Sequence, residues 1–402
     1  MVLAKLLIIS LFLPNSLSLL VGSFRINGYR IILLAACLFS LLQLLDSRSR
    51  PSRTADRSVL AFGVWGVVAL IANHEFSQAL ESGGIFFAET VGAYFIGRNC
   101  IASKDDIEKL AKFLIGAIIW LLVVTLPEML TGVNVVWSLA RVWGGASLSH
   151  IGERFGLTRA FGPFDHPIIN GVICASLFGL AIKVYWRNKP IRVVAVILAA
   201  FTSISSGAVA SIMVQSLIAT WLSWTKGWRK QWVPLGLVLL IVYVILDLLS
   251  NRSGLKVIIS YLTFSPGTAQ WRLLIWEYGL DNVWANPLFG LGFNDWVRPE
   301  WMRSGSMDNF WLVNAVRYGV PGFLLLATVT LTLCRANAKH RESVLGGGWV
   351  IGVSGLIVSG CTVHFWNQAY VFFMFYLGLG AAICDFEVYS GKAARKVAVP
   401  GK

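Results

Sequence analysis

The sequence predicts an all-α polytopic membrane protein of about twelve transmembrane helices, with two long outer loops that carry short interfacial helices. Three observations predict it. Apolar runs recur from one end of the chain to the other, many near the roughly 20 residues that a membrane-crossing helix needs. Of the 402 residues, 56% are hydrophobic and only 13% are charged, about half the charged share of an ordinary soluble domain. The basic residues are concentrated in short segments between apolar runs, as topology signals are.

Taken in order, the runs cover 2–20, 30–45, 58–72, 83–97, 111–131, 168–186, 192–205, 207–224, 233–250, 309–333, 346–361 and 366–384. The first, "MVLAKLLIISLFLPNSLSLL", holds one lysine and no clear small-residue cleavage site, and more spans follow at once. It reads as a first transmembrane helix rather than a signal peptide. Residues 193–224 are too long for one helix, and Ser203, Ser205, Ser206 and Gly207 of "SISSG" offer a turn that divides them. "GCTVHFWN" divides 349–384 on the same logic. Within a single membrane domain over 1–402, the long outer loops are 132–167 and 251–308. Each has an aromatic stretch suited to the membrane–water boundary, "VVWSLARVWGGA" and "WRLLIWEYGLDNVWANPLFGLGFNDW". Long ordered loops in a compact protein are usually functional, so these are expected to cap a cavity.

Charge orients the chain. With the N-terminus inside, the inner segments carry 23 Lys and Arg and the outer segments 10, Arg317 lying within a span. Both termini are therefore expected in the cytoplasm. The formal charge of +14 is explained by topology, and no nucleic-acid partner is expected. Cys37, Cys100, Cys174, Cys334, Cys361 and Cys384 form no CxxC and read as packing residues.

The chain has no Walker-type loop, no HExxH, no clustered Cys and His, and no GxSxG elbow, so no cofactor or metal is expected. Outer arginines remain: Arg154 and Arg159 before the sixth span, Arg272 in the second loop, and Arg317 about two turns into the tenth span. The planar guanidinium fork suits phosphate oxygens. Pairing with Glu153, Asp165 or Glu277, or with lipid headgroups, is the structural alternative. Asp308 and Asn309 open the tenth span, either as helix caps or with Asp308 as a general base. His150, His166 and His364 also lie outside, and His166 is the best placed, beside Asp165 and near Arg159.

Four stretches carry a resemblance: "VGSFRINGYRIILL", "RAFGPFDHPIINGV", "WRLLIWEYGLDNVWANPLFGLGFNDW" and "DNFWLVNAVRYGVPG". In order and placement they resemble the bacterial O-antigen ligase and polysaccharide polymerase superfamily, integral membrane glycosyltransferases that use undecaprenyl-diphosphate-linked glycans. The resemblance implies that Arg159 and Arg272 bind the diphosphate, with Arg154 and Arg317 nearby. Asp308 stands where the ligases place a histidine proposed as general base, and Arg317 where an acidic residue is common. Both departures point towards the polymerase branch.

The reading is a metal-independent, inverting glycosyltransferase of the bacterial inner membrane, with Asp308 or His166 as the base. It polymerises lipid-linked repeat units into O-antigen or exopolysaccharide at the periplasmic face. Its partners are the undecaprenyl-diphosphate-linked glycan, the acceptor glycan, the bilayer and a chain-length regulator. The alternatives are a ligase that transfers the glycan to lipid A core and, from another class, a transporter or flippase. Against the latter, the halves show no internal repeat and the polar residues cluster outside rather than at mid-membrane.

Overall fold

The computed structural model describes residues 1–21, 24–44, 53–99, 103–142, 152–228, 230–249 and 266–397. Helix α1 (Val2–Leu11) leads into a hairpin of β1 (Ser18–Val21) and β2 (Phe24–Asn27), paired antiparallel with Ser18 opposite Asn27. Then follow α2 (Gly28–Leu44), α3 (Arg53–Asn73), α4 (Phe76–Phe87), a π-helical turn (Ala88–Gly92), α5 (Ala93–Asn99) and α6 (Lys104–Thr131). A short α7 (Val135–Val142) and a small hairpin, β3 (Glu153–Arg154) with β4 (Leu157–Thr158), precede α8 (Pro167–Ser176) and α9 (Phe178–Tyr185). The chain continues through α10 (Pro190–Phe201), α11 (Ser206–Trp224), α12 (Trp232–Leu249) and α13 (Pro266–Ala285). It ends with α14 (Phe310–Ala338), α15 (Val344–Gly360) and α16 (Gln368–Val397).

A helix lies on each expected apolar run, but the runs are not twelve equal spans. Among the described residues, seven stretches are long and apolar enough to cross a membrane: those of α3, α6, α8–α9, α11, α12, α14 and α16. The apolar helices of α1, α2, α10 and α15 are shorter, and α4–α5 is interrupted by the π-helical turn. The first run is corrected most. Its helix stops at Leu11, because Pro14 has no N–H to continue it, and Ser18–Val21 pairs as a strand.

The two expected breaks have local causes. After α10, the Thr202 and Ser203 hydroxyls donate to the Ala199 and Ala200 carbonyls at 2.7 Å each, and so satisfy a helix end. Between α15 and α16, the chain turns through Asn367 at φ 48°. No disulfide forms among the described cysteines, and Cys100 lies outside them.

The interior is apolar, and two of its arginines are held by carboxylates. Arg98 of α5 is 3% exposed and donates to Asp56 of α3 and Asp385 of α16. Arg30 of α2 reaches Glu89 in the π-helical turn at 2.8 Å. Removing one partner of such a pair would leave a buried charge uncompensated. Helix α12 is the exception to packing, since none of its residues is buried. The N-termini of α8, α11 and α14 and the C-terminus of α15 meet at one end of the bundle, where the site forms.

Candidate active site

The stretch "RAFGPFDHP" is held by a residue far from it in sequence. Glu128, 1% exposed near the end of α6, accepts the Phe161 and Gly162 amides at 3.1 and 2.9 Å. Asn134 ties the same carboxylate to the Gly162 carbonyl, at 2.9 Å on each side. The Ala160 amide bonds the Thr202 carbonyl at 3.0 Å, so the backbone beside Arg159 is fixed to the α10–α11 break. Asp165 accepts from Asn15 and Asn367 and is not an arginine partner. Asn15 also links to Asn27 and Gln368, which joins the first hairpin to the start of α16.

His166 caps α8. Its Nδ1 accepts the Ile168 amide at 3.1 Å, with Pro167 at the first helical position. A ring that accepts at Nδ1 carries its proton on Nε2, so this imidazole is neutral and can donate. Burial, with Arg159 and Arg154 adding to it, pushes the His166 pKa down to about 4.

The second loop docks on a broken helix. Gly319 (φ 71°, ψ 179°) interrupts α14 two residues after Arg317, in a region open essentially to glycine alone. The break releases the Val316 and Arg317 carbonyls, which accept the Leu291 and Gly292 amides at 2.8 and 3.0 Å. In return the Val320 amide donates to the Pro287 carbonyl at 2.8 Å. Gly290, at φ 64°, sits against the Val316 and Arg317 carbonyls with no room for a side chain. This is what "PLFGLG" and "GVPG" do here: they clamp the loop to the helix that carries Arg317.

At the start of α14 the cap is Asn309, whose side chain accepts the Leu312 amide at 3.0 Å. Asp308 is left to accept from the Ser306 hydroxyl at 2.9 Å.

Arg154, Arg159, Arg272, Arg317, His166 and Asp308 all line one cavity of about 940 Å³, near the upper end for small-molecule sites. Asp295 also lines it but is bound to Arg298 at 2.6 Å. None of the four cavity arginines pairs with a carboxylate among the described residues. Arg154 bonds the Ile204 carbonyl at 3.1 Å, and Arg317 lies over the Phe293 ring, 5.1 Å from its centre. Among the described residues, buried N–H groups of Arg159 (Nε) and Arg272 (Nε and Nη1) have no hydrogen-bond partner. Arg272 is 6% exposed. Burial and the neighbouring Arg154 lower the Arg159 pKa to about 10. Burial lowers that of Arg272 as well, opposed by the Asp308 carboxylate. Both remain cationic at neutral pH. The N-termini of α8, α11 and α14 add positive potential, through Ile168, Ser206 and Asp308 on the lining. Buried, unpaired cations with spare donors make an anion site.

Two further residues belong to the site, one of them unsignalled by the sequence. Glu128 was not singled out at all. His364 lines the cavity with its Nδ1 buried and without a partner among the described residues, and burial together with Arg317 lowers its pKa to about 3. Arg317, His364 and Trp366 also line an adjoining cavity of about 260 Å³, which holds the Arg30–Glu89 pair. His150 lies outside the described residues. Among the described residues, no group of three His, Cys, Asp or Glu side chains converges as metal ligands do.

The chain matches the O-antigen ligase family over residues 191–327. The match takes in Arg272, Asp308 and Arg317, while Arg154, Arg159 and His166 precede it. It bears out the resemblance to the O-antigen ligase and polysaccharide polymerase superfamily and gives no support to a transporter. No curated protein matches the chain significantly.

Proposed function

We propose that this chain, which matches the O-antigen ligase family over residues 191–327, belongs to the O-antigen ligase and polysaccharide polymerase superfamily and polymerises undecaprenyl-diphosphate-linked repeat units. The reaction takes place at the periplasmic face of the inner membrane, with both termini cytoplasmic. The observation that carries the reading is the gathering of Arg159, Arg272, Arg317 and Asp308 on one cavity, with donors of Arg159 and Arg272 unpartnered.

In this mechanism Arg159 and Arg272 hold the diphosphate of the donor, and Arg154 and Arg317 extend the positive field. His166 donates through Nε2 to a phosphate oxygen. Asp308 accepts the proton of the acceptor hydroxyl as that oxygen attacks the anomeric carbon from the face opposite the phosphate. The new C–O bond forms as the bond to the diphosphate breaks, so the configuration inverts. The leaving group departs as undecaprenyl diphosphate, its growing charge met by arginines already in place. Those cations do the work that a metal ion does elsewhere, so the reaction runs without one.

The carboxylate at 308 favours the polymerase branch over transfer to lipid A core. The test is a gel of lipopolysaccharide and exopolysaccharide from a deletion strain, beside elongation of lipid-linked repeats by purified protein. Loss of polymer above a single repeat, with single repeats still joined to lipid A core, is the polymerase outcome. Full-length polymer left on the lipid carrier is the ligase outcome and overturns the reading.

A further inference from the structure

At the opposite end of the bundle from the arginine site lies a larger cavity, of about 1440 Å³. It is lined by α9, the end of α11, Ile197 of α10, the first turns of α6 and α15, and the α11–α12 and α14–α15 turns. Its charged residues are Lys112, Lys183, Arg187, Lys226 and Arg341 against Glu108 and Glu342. The Arg341 guanidinium is engaged with the Ala338 and Trp228 carbonyls, and Glu342 accepts the Gly227 amide. Lys112, Lys183 and Lys226 have no ion pair among the described residues. The rest of the wall is apolar and includes Phe178, Ile182, Ile197 and Leu222.

Two further observations say what would fill it. Trp186, Trp224 and Trp228 are 61%, 79% and 58% exposed around this end of the bundle, as rings at a membrane–water boundary are. Helix α12 begins beside Gln231 of the cavity lining, and none of its eighteen residues is buried. A helix that is apolar but for Asp247 and that the described residues leave unburied is packed by lipid chains. A cavity with a cationic end at headgroup level and an apolar wall beside a lipid-packed helix matches a phospholipid in both charge and depth.

We propose that this second cavity binds an anionic phospholipid, with its phosphate held by Lys112, Lys183 and Lys226. The site is separate from the proposed transferase chemistry. Its rivals in chemistry, a soluble phosphate and an acidic protein segment, lack any use for the apolar wall.

The test uses the full chain, purified and delipidated in an uncharged detergent. Binding is read by native mass spectrometry and by the melting temperature on adding phosphatidylglycerol, phosphatidylcholine or inorganic phosphate. The wild type is expected to retain and be stabilised by phosphatidylglycerol alone. The triple variant Lys112→Gln, Lys183→Gln, Lys226→Gln should bind it on the order of 100-fold more weakly, roughly fivefold per charge. The triple Lys→Arg variant, which keeps the charge, should bind within about threefold of wild type. If the Gln triple does not purify, the single Lys183→Gln variant should still show the roughly fivefold loss. Equal binding of phosphatidylcholine, stabilisation by inorganic phosphate alone, or unchanged affinity in the Gln variants would each overturn the proposal.

Discussion

The Asn309 side chain accepts the Leu312 amide at 3.0 Å, and this contact releases its neighbour Asp308 from capping α14. The two residues therefore separate by mutation. Asp308→Asn keeps size and removes the base, so protein level should hold while polymer falls by about 10²-fold or more. Asn309→Ala removes the cap, at about 1 kcal/mol, and should lower abundance and activity together. Polymer length on a gel, normalised to protein level in a complemented deletion strain, reads both. Full-length polymer from Asp308→Asn would take Asp308 out of the mechanism.

Arg272→Lys keeps a positive charge but loses the paired donors of the fork. Two of the three Arg272 nitrogens are buried without a partner among the described residues, so the loss should fall on the leaving group rather than on folding. Single-turnover elongation by purified protein should slow on the order of 10²-fold, with donor binding changed much less. The wild type should keep its rate in excess chelator. A rate that collapses there and returns with magnesium would count against arginine as the neutralising group.

The apolar helices were legible, though not which of them span, and the cavity arginines stood out because charge is scarce in this chain. The breaks at "SISSG" and "GCTVHFWN" were legible for a similar reason, as hydroxyls and glycines inside apolar text. Glu128 was not. It sits beside Pro127 at the end of an apolar run and reads as an ordinary helix end, and its partner Gly162 is 34 residues away. Nor could the sequence choose between Asp308 and Asn309, since both are good caps and the choice depends on which faces Leu312. The length of α1 was misjudged because the first apolar run was taken as one span to Leu20, when its helix ends at Leu11, three residues before Pro14.

The two cavity histidines predict a pH dependence of stability. Burial, with nearby arginines, lowers His166 to about 4 and His364 to about 3, below the roughly 6.5 of an unfolded chain. Above pH 6.5 both states are neutral and stability is full. As pH falls below that value the unfolded state takes up protons first, so stability drops. The His166 share at pH 5 should be on the order of 1–2 kcal/mol. His166→Asn keeps a capping side chain and cannot titrate, so its melting temperature should fall less between pH 7.5 and pH 5 than that of the wild type. Parallel curves for the two proteins would show that His166 takes protons equally well folded and unfolded.

Gly319 offers the sharpest test of the clamp between the second loop and α14. Its φ of 71° and ψ of 179° suit glycine, and a Cβ there would run into the Leu288 carbonyl. Gly319→Ala must strain its own backbone or push the 287–292 turn away, at a cost on the order of 3–5 kcal/mol. Pushing the turn away also breaks the bonds from Leu291 and Gly292 to the Val316 and Arg317 carbonyls, and so loosens the residue that carries the Arg317 guanidinium. The melting temperature and the elongation rate should fall together. Gly116→Ala in α6, where nothing lies within 4 Å of the new methyl, is the control. Alanine is the better helix residue, so that change should be neutral or slightly stabilising. If both variants melt like the wild type, the turn does not hold α14 in the way its backbone bonds indicate.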